Sequence, residues 1–145
     1  MKISIITVCY NSSNTIEKTI KSVINQKNKN FEYIIIDGES SDDTLKIINK
    51  YKKFINKIIS EKDNGIFEAM NKGIDFAKGD IIYFLNSDDF LLNNNIINKI
   101  QKIFEKNQLD AVFGGVLCFY PETNQTIPRN RKFLENNLKK GIMPP

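Results

Sequence analysis

Residues 2–43 read KISIITVCYNSSNTIEKTIKSVINQKNKNFEYIIIDGESSDD. The first eight, KISIITVC, are a continuous run rich in β-branched side chains, the pattern of a strand buried on both faces. Asn14 followed by Glu17 marks a helix start, and Ile16, Ile20, Val23 and Ile24 then recur at helical spacing. Phe31–Asp37 (FEYIIID) is a second strand, closed by a polar turn over residues 38–43. A buried strand, an amphipathic helix and a second buried strand make a βαβ unit. They predict an α/β fold with a mostly parallel sheet.

The alternation continues outward. Leu45, Ile48 and Tyr51 begin another helical stripe, and Lys57–Ser60 is a weaker, short strand. Asp63-Asn64-Gly65 is turn chemistry. After it Phe67, Met70, Ile74 and Ala77 fit a helix closed by Gly79. Residues 80–85 (DIIYFL) are a third strong strand. Residues 93–95 open a helix carrying Ile96, Ile100, Ile103 and Phe104. Residues 111–119 (AVFGGVLCF) read as a last strand, with Gly114 and Gly115 marking a bend or a close backbone approach. Residues 121–145 show no clear periodicity.

Bulk composition narrows the chemistry. The 145 residues suit one domain with its own core. No run of about 20 apolar residues exists, so no spanning helix is predicted. The first residues lack the long apolar region and cleavage site of a signal peptide. Cys9 and Cys118 lie in apolar runs and read as buried free thiols. The chain has no histidine, which removes Cys–His and Ser–His pairs and any His-ligated zinc. Chemistry, if present, falls to carboxylates or a metal. The net charge of +4 comes mostly from lysines that punctuate helix patterns, such as Lys46, Lys50, Lys53 and Lys57. Solvated helix faces explain these. The aromatic residues sit inside apolar runs rather than between basic ones, which argues against a nucleic-acid surface.

Parallel α/β sheets bind ligands beyond the carboxyl ends of their strands. Three strands here end in polar or acidic clusters: Cys9-Tyr10-Asn11, Asp37-Gly38-Glu39-Ser40 and Asn86-Ser87-Asp88-Asp89. In a parallel sheet all three face one rim. Adjacent Asp88 and Asp89 repel each other, but a cation beside them reverses the sign. Opposite unit charges at about 4 Å attract by roughly 4 kcal/mol at an effective dielectric of 20. Mg²⁺ or Mn²⁺ suits such oxygen ligands and leaves room for phosphate. A helix cap is the plain alternative. Asp37 could accept a hydrogen bond from a base N–H or cap the next helix. Ser40, Ser41, Asp42 and Asp43 are better caps, which frees Asp37 for another task. No phosphate-cradling GxxxxGK[ST] loop and no GxGxxG after a strand occur.

ISIITVCYN, IIIDGESSDDT and EKDNGIFEAMNKGIDFAKGDIIYFLNSDD, in this order, resemble the family 2 glycosyltransferases over roughly residues 1–92. The middle segment looks most like bacterial transferases that build polysaccharides. The resemblance implies the GT-A fold, a Rossmann-like, mostly parallel sheet with helices on both faces. It implies nucleoside contacts at Thr7 and Tyr10 and a base contact at Asp37, typically to uracil. It places Asp63 on the nucleotide pocket. Asn71 and Gly73 match an N-x-G element whose role is either ligand contact or helix–sheet packing. Asn86-Ser87-Asp88 stands at the D-x-D position, with Ser87 on the nucleotide side. Asp88 is then the metal ligand, Asp89 its helper and Asn86 a further candidate, with Mn²⁺ or Mg²⁺ as the ion. Asn86 departs from the motif, since a neutral amide replaces its first Asp.

The implied reaction is inverting, metal-assisted sugar transfer from a nucleotide-sugar, typically a UDP-sugar, to a hydroxyl of a glycan or lipid-linked acceptor. A cytoplasmic setting follows, with peripheral association at the inner face of the membrane allowed. After the last apolar run the only side-chain carboxylates are Glu122 and Glu135, and neither sits in a setting like that of the family's general base. The resemblance therefore puts the base beyond Pro145 and leads us to expect one domain, residues 1–145, truncated before the acceptor region. The alternative is a nucleotide-sugar-binding module without turnover.

Overall fold

The structure is a computed structural model and describes residues 1–107, 109–112, 114–120 and 122–129. It divides into two units, residues 1–108 and 109–145. The first carries β1 (Ile3–Cys9), α1 (Ile16–Ile24), β2 (Phe31–Asp37), α2 (Thr44–Lys50) and a 3₁₀ turn (Lys52–Phe54). β3 (Lys57–Ser60), α3 (Ile66–Phe76), β4 (Ile81–Phe84) and α4 (Ile96–Asn107) follow. The second carries β5 (Val116–Tyr120) and β6 (Gln125–Arg129).

Four strands form one parallel sheet in the order β3-β2-β1-β4. The continuous apolar runs explain this order. β1 lies between two partners, every residue of it is buried, and β2 is nearly as enclosed. Among the described residues β3 and β4 take the edges and are partly exposed, so the strand expected over residues 80–85 forms as Ile81–Phe84 beside β1. The register aligns Cys9 with Asp37 and Asp37 with Ser60, which brings the polar strand ends level.

Helices cover both faces, as the resemblance led us to expect. On one face Ile3, Ile5, Tyr33 and Ile35 pack with Ile16, Ile20 and Val23 of α1, Ile48 of α2 and Ile97 of α4. On the other, Ile6, Val8, Ile34 and Ile36 meet Ala69 of α3. Fully burying one such aliphatic side chain contributes roughly 1.5–3 kcal/mol. Two rows of isoleucine therefore dominate the core.

α3 packs by small residues rather than large ones. Its buried positions are Ala69 and Gly73, while Phe67 and Ile74 of the expected stripe stay exposed. A Cβ on Gly73 would sit 2.4 Å from Ile6 Cγ2, so the helix lies too close to β1 for any side chain there. Of the two roles the N-x-G element allowed Gly73, the structure supports packing. Gly79 does not close the helix either, since α3 ends at Phe76. Its N–H donates to Ser4 Oγ at 2.8 Å, and the Ser4 backbone N lies 2.7 Å from where a Cβ would be.

At the opposite end of the sheet from the polar rim, Glu32 is buried and accepts from Ser4 Oγ (2.5 Å), the Lys78 N–H (2.5 Å) and Lys2 Nζ (3.2 Å). Burial pushes its carboxyl up, but these three donors outweigh burial and hold it below the ordinary range.

The second unit corrects the reading of residues 111–119. β5 pairs antiparallel with β6 in a two-stranded sheet and adds no strand to the parallel one. Gly114 has open space around its Cβ position, so no close approach explains it. Cys118 is half-buried rather than buried, and both cysteines are free thiols. Glu122 is exposed in the β5–β6 turn, while residues 132–140, with Glu135, lie outside the described residues. Lys46, Lys50, Lys53 and Lys57 are all exposed, as solvated faces demand. Among the described residues no helix is long and apolar enough to cross a membrane.

Candidate functional site

The carboxyl ends of the strands enclose a cleft of about 880 Å³. Tyr10, Asn11 and Ser12 enter it from the end of β1, and Gly38 and Glu39 from the end of β2. Lys62, Asp63 and Gly65 come from the loop before α3, and Asn86, Ser87 and Asp88 from the loop after β4. The structure thus unites Tyr10, Asp63, Asn86, Ser87 and Asp88 on one surface.

Short polar bonds hold these loop ends together. Asn11 occupies a left-handed backbone conformation (φ 47°), which asparagine tolerates better than most residues. Its N–H donates to Ser40 Oγ at 2.8 Å, and its own Oδ1 accepts the Ser41 N–H at 2.9 Å. Asp42 accepts the N–H groups of Thr44 (2.9 Å) and Ser13 (3.1 Å), joining the start of α2 to the β1 loop. Thr44, chiefly, and then Ser13 hold the Asp42 carboxyl well below the usual carboxylate range, against partial desolvation. Ser12 Oγ and Ser87 Oγ share a hydrogen bond of 2.9 Å. From α1, the Thr19 hydroxyl is shared between the carbonyls of Ser87 (2.9 Å) and Asp89 (2.6 Å).

Gly38 explains the floor of the cleft. A Cβ there would lie 2.7 Å from Asp63 Oδ2 and 3.5 Å from Tyr10 Cδ2. Glycine therefore lets the Asp63 carboxylate and the Tyr10 ring close over the end of β2. Asp63 is fixed through its other oxygen, which accepts the Gly65 N–H at 2.8 Å. Gly65 takes φ 121°, a conformation open to glycine alone without strain.

Four of the expected site residues are not on the cleft. Thr7 is fully buried, and its hydroxyl meets Tyr33 Oη at 3.1 Å inside the sheet layer. Asp37 is also fully buried. It accepts from Ser40 N–H (3.1 Å), Ser40 Oγ (2.5 Å), Ser60 Oγ (2.6 Å) and, weakly, the Cys9 thiol (3.6 Å). In this structure Asp37 therefore braces the strand ends, with local donors on both oxygens. Asn71 is exposed on α3. Asp89 does not line the cleft. Its carboxyl is raised by desolvation first and by Asp88 second, and it acts in turn on Tyr83. Cys9 does reach the cleft wall, but burial first and Asp37 second push its thiol far up, which disfavours the thiolate there.

Glu39 and Lys62 line the cleft without having been singled out. Glu39 was legible as part of the polar run after β2. Lys62 carried no signal beyond adjacency to Asp63.

The chain matches the model of glycosyl transferase family 2 over residues 4–144. It belongs to that family. A relative from Escherichia coli, the UDP-Glc:alpha-D-GlcNAc-diphosphoundecaprenol beta-1,3-glucosyltransferase WfaP, is 39% identical over 135 residues, covering 84% of this chain and 53% of the relative. The solved structure of Staphylococcus aureus TarS 1-349 in complex with UDP-GlcNAc superposes with a TM-score of 0.68 at 26% identity, covering 74% of this chain and 32% of that one. A Mycobacterium tuberculosis glucosyl-3-phosphoglycerate synthase, solved with Mn²⁺, UDP and glucosyl-3-phosphoglycerate, gives a TM-score of 0.51 at 25% identity. The match covers 59% of this chain and 33% of that one. These neighbours confirm the GT-A fold. The chain spans about half or less of the length of the curated relatives it matches.

Proposed function

We propose that this chain forms the donor-binding part of a glycosyltransferase that moves a sugar from a UDP-sugar to a hydroxyl of a glycan or lipid-linked acceptor. The observation that carries it is the convergence of Tyr10, Asp63, Asn86, Ser87 and Asp88 on one cleft at the carboxyl edge of the parallel sheet. The UDP-GlcNAc complex of TarS and the lipid-linked acceptor in the WfaP name support donor and acceptor class.

In such a transfer the acceptor oxygen attacks the anomeric carbon as the bond to the diphosphate breaks, and a single displacement inverts that carbon. Negative charge then grows on the leaving diphosphate. Asp88, with Asn86 on the same cleft, would hold the divalent cation, Mn²⁺ or Mg²⁺, whose charge would offset that growth. Among the described residues no group of three His, Cys, Asp or Glu side chains could hold an ion by itself, so Asp88 and Asn86 would need phosphate oxygens of the donor and water to complete the set. One carboxylate and an amide on an open cleft leave positions for phosphate oxygens and water, as Mg²⁺-type sites require. Tyr10 and Asp63, meeting over Gly38, are placed to receive the nucleoside. Lys62 adds a cation at the rim. A general base for the acceptor proton is not assigned to any described residue.

Calorimetry of UDP binding with and without Mn²⁺ tests the reading. Wild type should bind more tightly with the ion, and Asp88→Ala should remove the gain. Equal UDP affinity in all four titrations would refute the metal assignment, and no UDP binding at all would refute the donor site.

A further inference from the structure

The loop that carries Asp63 is held from behind by two side chains of α3, Lys72 and Glu68. Lys72 stands between Asn71 and Gly73 and keeps only 21% of its side-chain surface exposed. Its ammonium donates to the carbonyl of Lys62 at 3.0 Å. It also pairs with Glu61 Oε1 at 3.0 Å and Glu68 Oε1 at 3.1 Å. An ammonium has three donors, so this set fills its capacity. The second oxygen of Glu68 accepts the Asn64 N–H at 3.1 Å and Asn64 Nδ2 at 2.6 Å. Lys72 and Glu68 together therefore fix the residues on both sides of Asp63, and neither of them lines the cleft.

We infer that Lys72 is a positioning residue for donor binding, holding the loop 61–65 so that Asp63 stays against Gly38 and Lys62 stays at the rim. The inference rests on the donor-site reading above. An ordinary surface ion pair contributes little to stability and leaves ligand binding alone. Lys72 differs because one of its bonds goes to the loop backbone. A backbone bond sets where the next residue points, whereas a pair between two side-chain tips does not. The helix that carries Lys72 packs closely on β1 at Gly73, where an added Cβ would lie 2.4 Å from Ile6 Cγ2.

The test is UDP binding by calorimetry with wild type, Lys72→Met, Lys72→Arg, Asp63→Ala and the Lys72→Met/Asp63→Ala double variant, each with its thermal midpoint. Lys72→Met should bind UDP about tenfold more weakly with little change in midpoint, because a small misplacement of a contact group is expensive. Lys72→Arg, which keeps a donor in reach, should recover most of the loss. In the Asp63→Ala background Lys72→Met should add less than about a twofold further loss, since its effect runs through the loop. If Lys72→Met folds poorly, Glu68→Ala, which frees both Lys72 and Asn64, should weaken UDP binding in the same direction. Wild-type affinity in Lys72→Met, or an undiminished loss in the double variant, would overturn the inference while leaving the donor site standing. No UDP binding by wild type would instead remove the donor-site reading and this inference with it.

Discussion

Ser60, at the end of β3, donates its hydroxyl to Asp37 Oδ2 at 2.6 Å, and Asp37 closes β2. The bond links the two strands at the level where the cleft begins. With Ser40 donating twice to the same carboxylate, Asp37 is a buried hub beneath the site.

Asp37→Ala should therefore act on stability first. Each part-buried donor it orphans costs about 1–3 kcal/mol, and partial relaxation should bring the total to roughly 2–4 kcal/mol. Urea denaturation measures this directly. A direct base contact predicts something else: unchanged stability and a flattened preference for UDP over CDP. Finding that pair of results would restore Asp37 to the ligand.

Gly73→Ala sets two known effects against each other. Alanine gains about 1 kcal/mol of helix propensity over glycine. Against this, the new Cβ would lie 2.4 Å from Ile6 Cγ2. Overpacking of that kind costs about 1–3 kcal/mol, so the variant should be less stable than wild type. In an Ile6→Ala background the same change should turn favourable. A stabilised single variant would mean that α3 can move outward freely.

Glu39 takes φ 62°, a left-handed conformation that side chains other than Asn and Asp rarely adopt. Its side chain is exposed and lines the cleft. Strain kept at a binding site commonly serves the site. Glu39→Gly should stabilise the fold by about 0.5–1 kcal/mol, as relief of strain exceeds the added chain entropy. Thermal unfolding checks the sign, and UDP affinity measured on the same variant shows whether the carboxylate contributes to binding.

Asp42 gives an acid-dependent signature. Its pKa is lowered in the fold, chiefly by Thr44. Such a group contributes fully above its unfolded value of about 3.9 and loses that contribution as pH falls through the folded pKa. The stability gap between wild type and Asp42→Ala should therefore be widest near about pH 6 and narrow by about pH 3. Solvent exposure keeps the gap small, so midpoints must be compared at matched ionic strength. A gap that widens on acidification would contradict the assignment.

The sequence by itself determined the elements and the rim. Continuous β-branched runs at residues 3–9 and 31–37 are stable only as strands covered on both faces, and the isoleucine spacing of α1 supplies the cover. Once the strands are parallel, their polar ends must gather at one edge, so Tyr10, Ser87 and Asp88 were legible as neighbours. The helix stripe of α3 was misread because hydrophobicity ranks Phe67 and Ile74 above Gly73. Distance of approach, not hydrophobicity, decides which face meets β1, and only a residue without a side chain allows this one. The strand over residues 111–119 was misplaced because an apolar run does not say which edge, or which sheet, it will join. The placements of Asp37 and Asp63 were also decided in three dimensions. Each is an acid at the end of a loop-bounded segment, and sequence order does not separate them. The register of β2 with β3 puts the Ser60 donor beside Asp37 and buries it, while Gly38 leaves the space above β2 that Asp63 fills. Which donors reach a carboxylate is fixed by strand register and not by sequence order, and here the nearest donor to Asp37 from another strand lies 23 residues away in the chain.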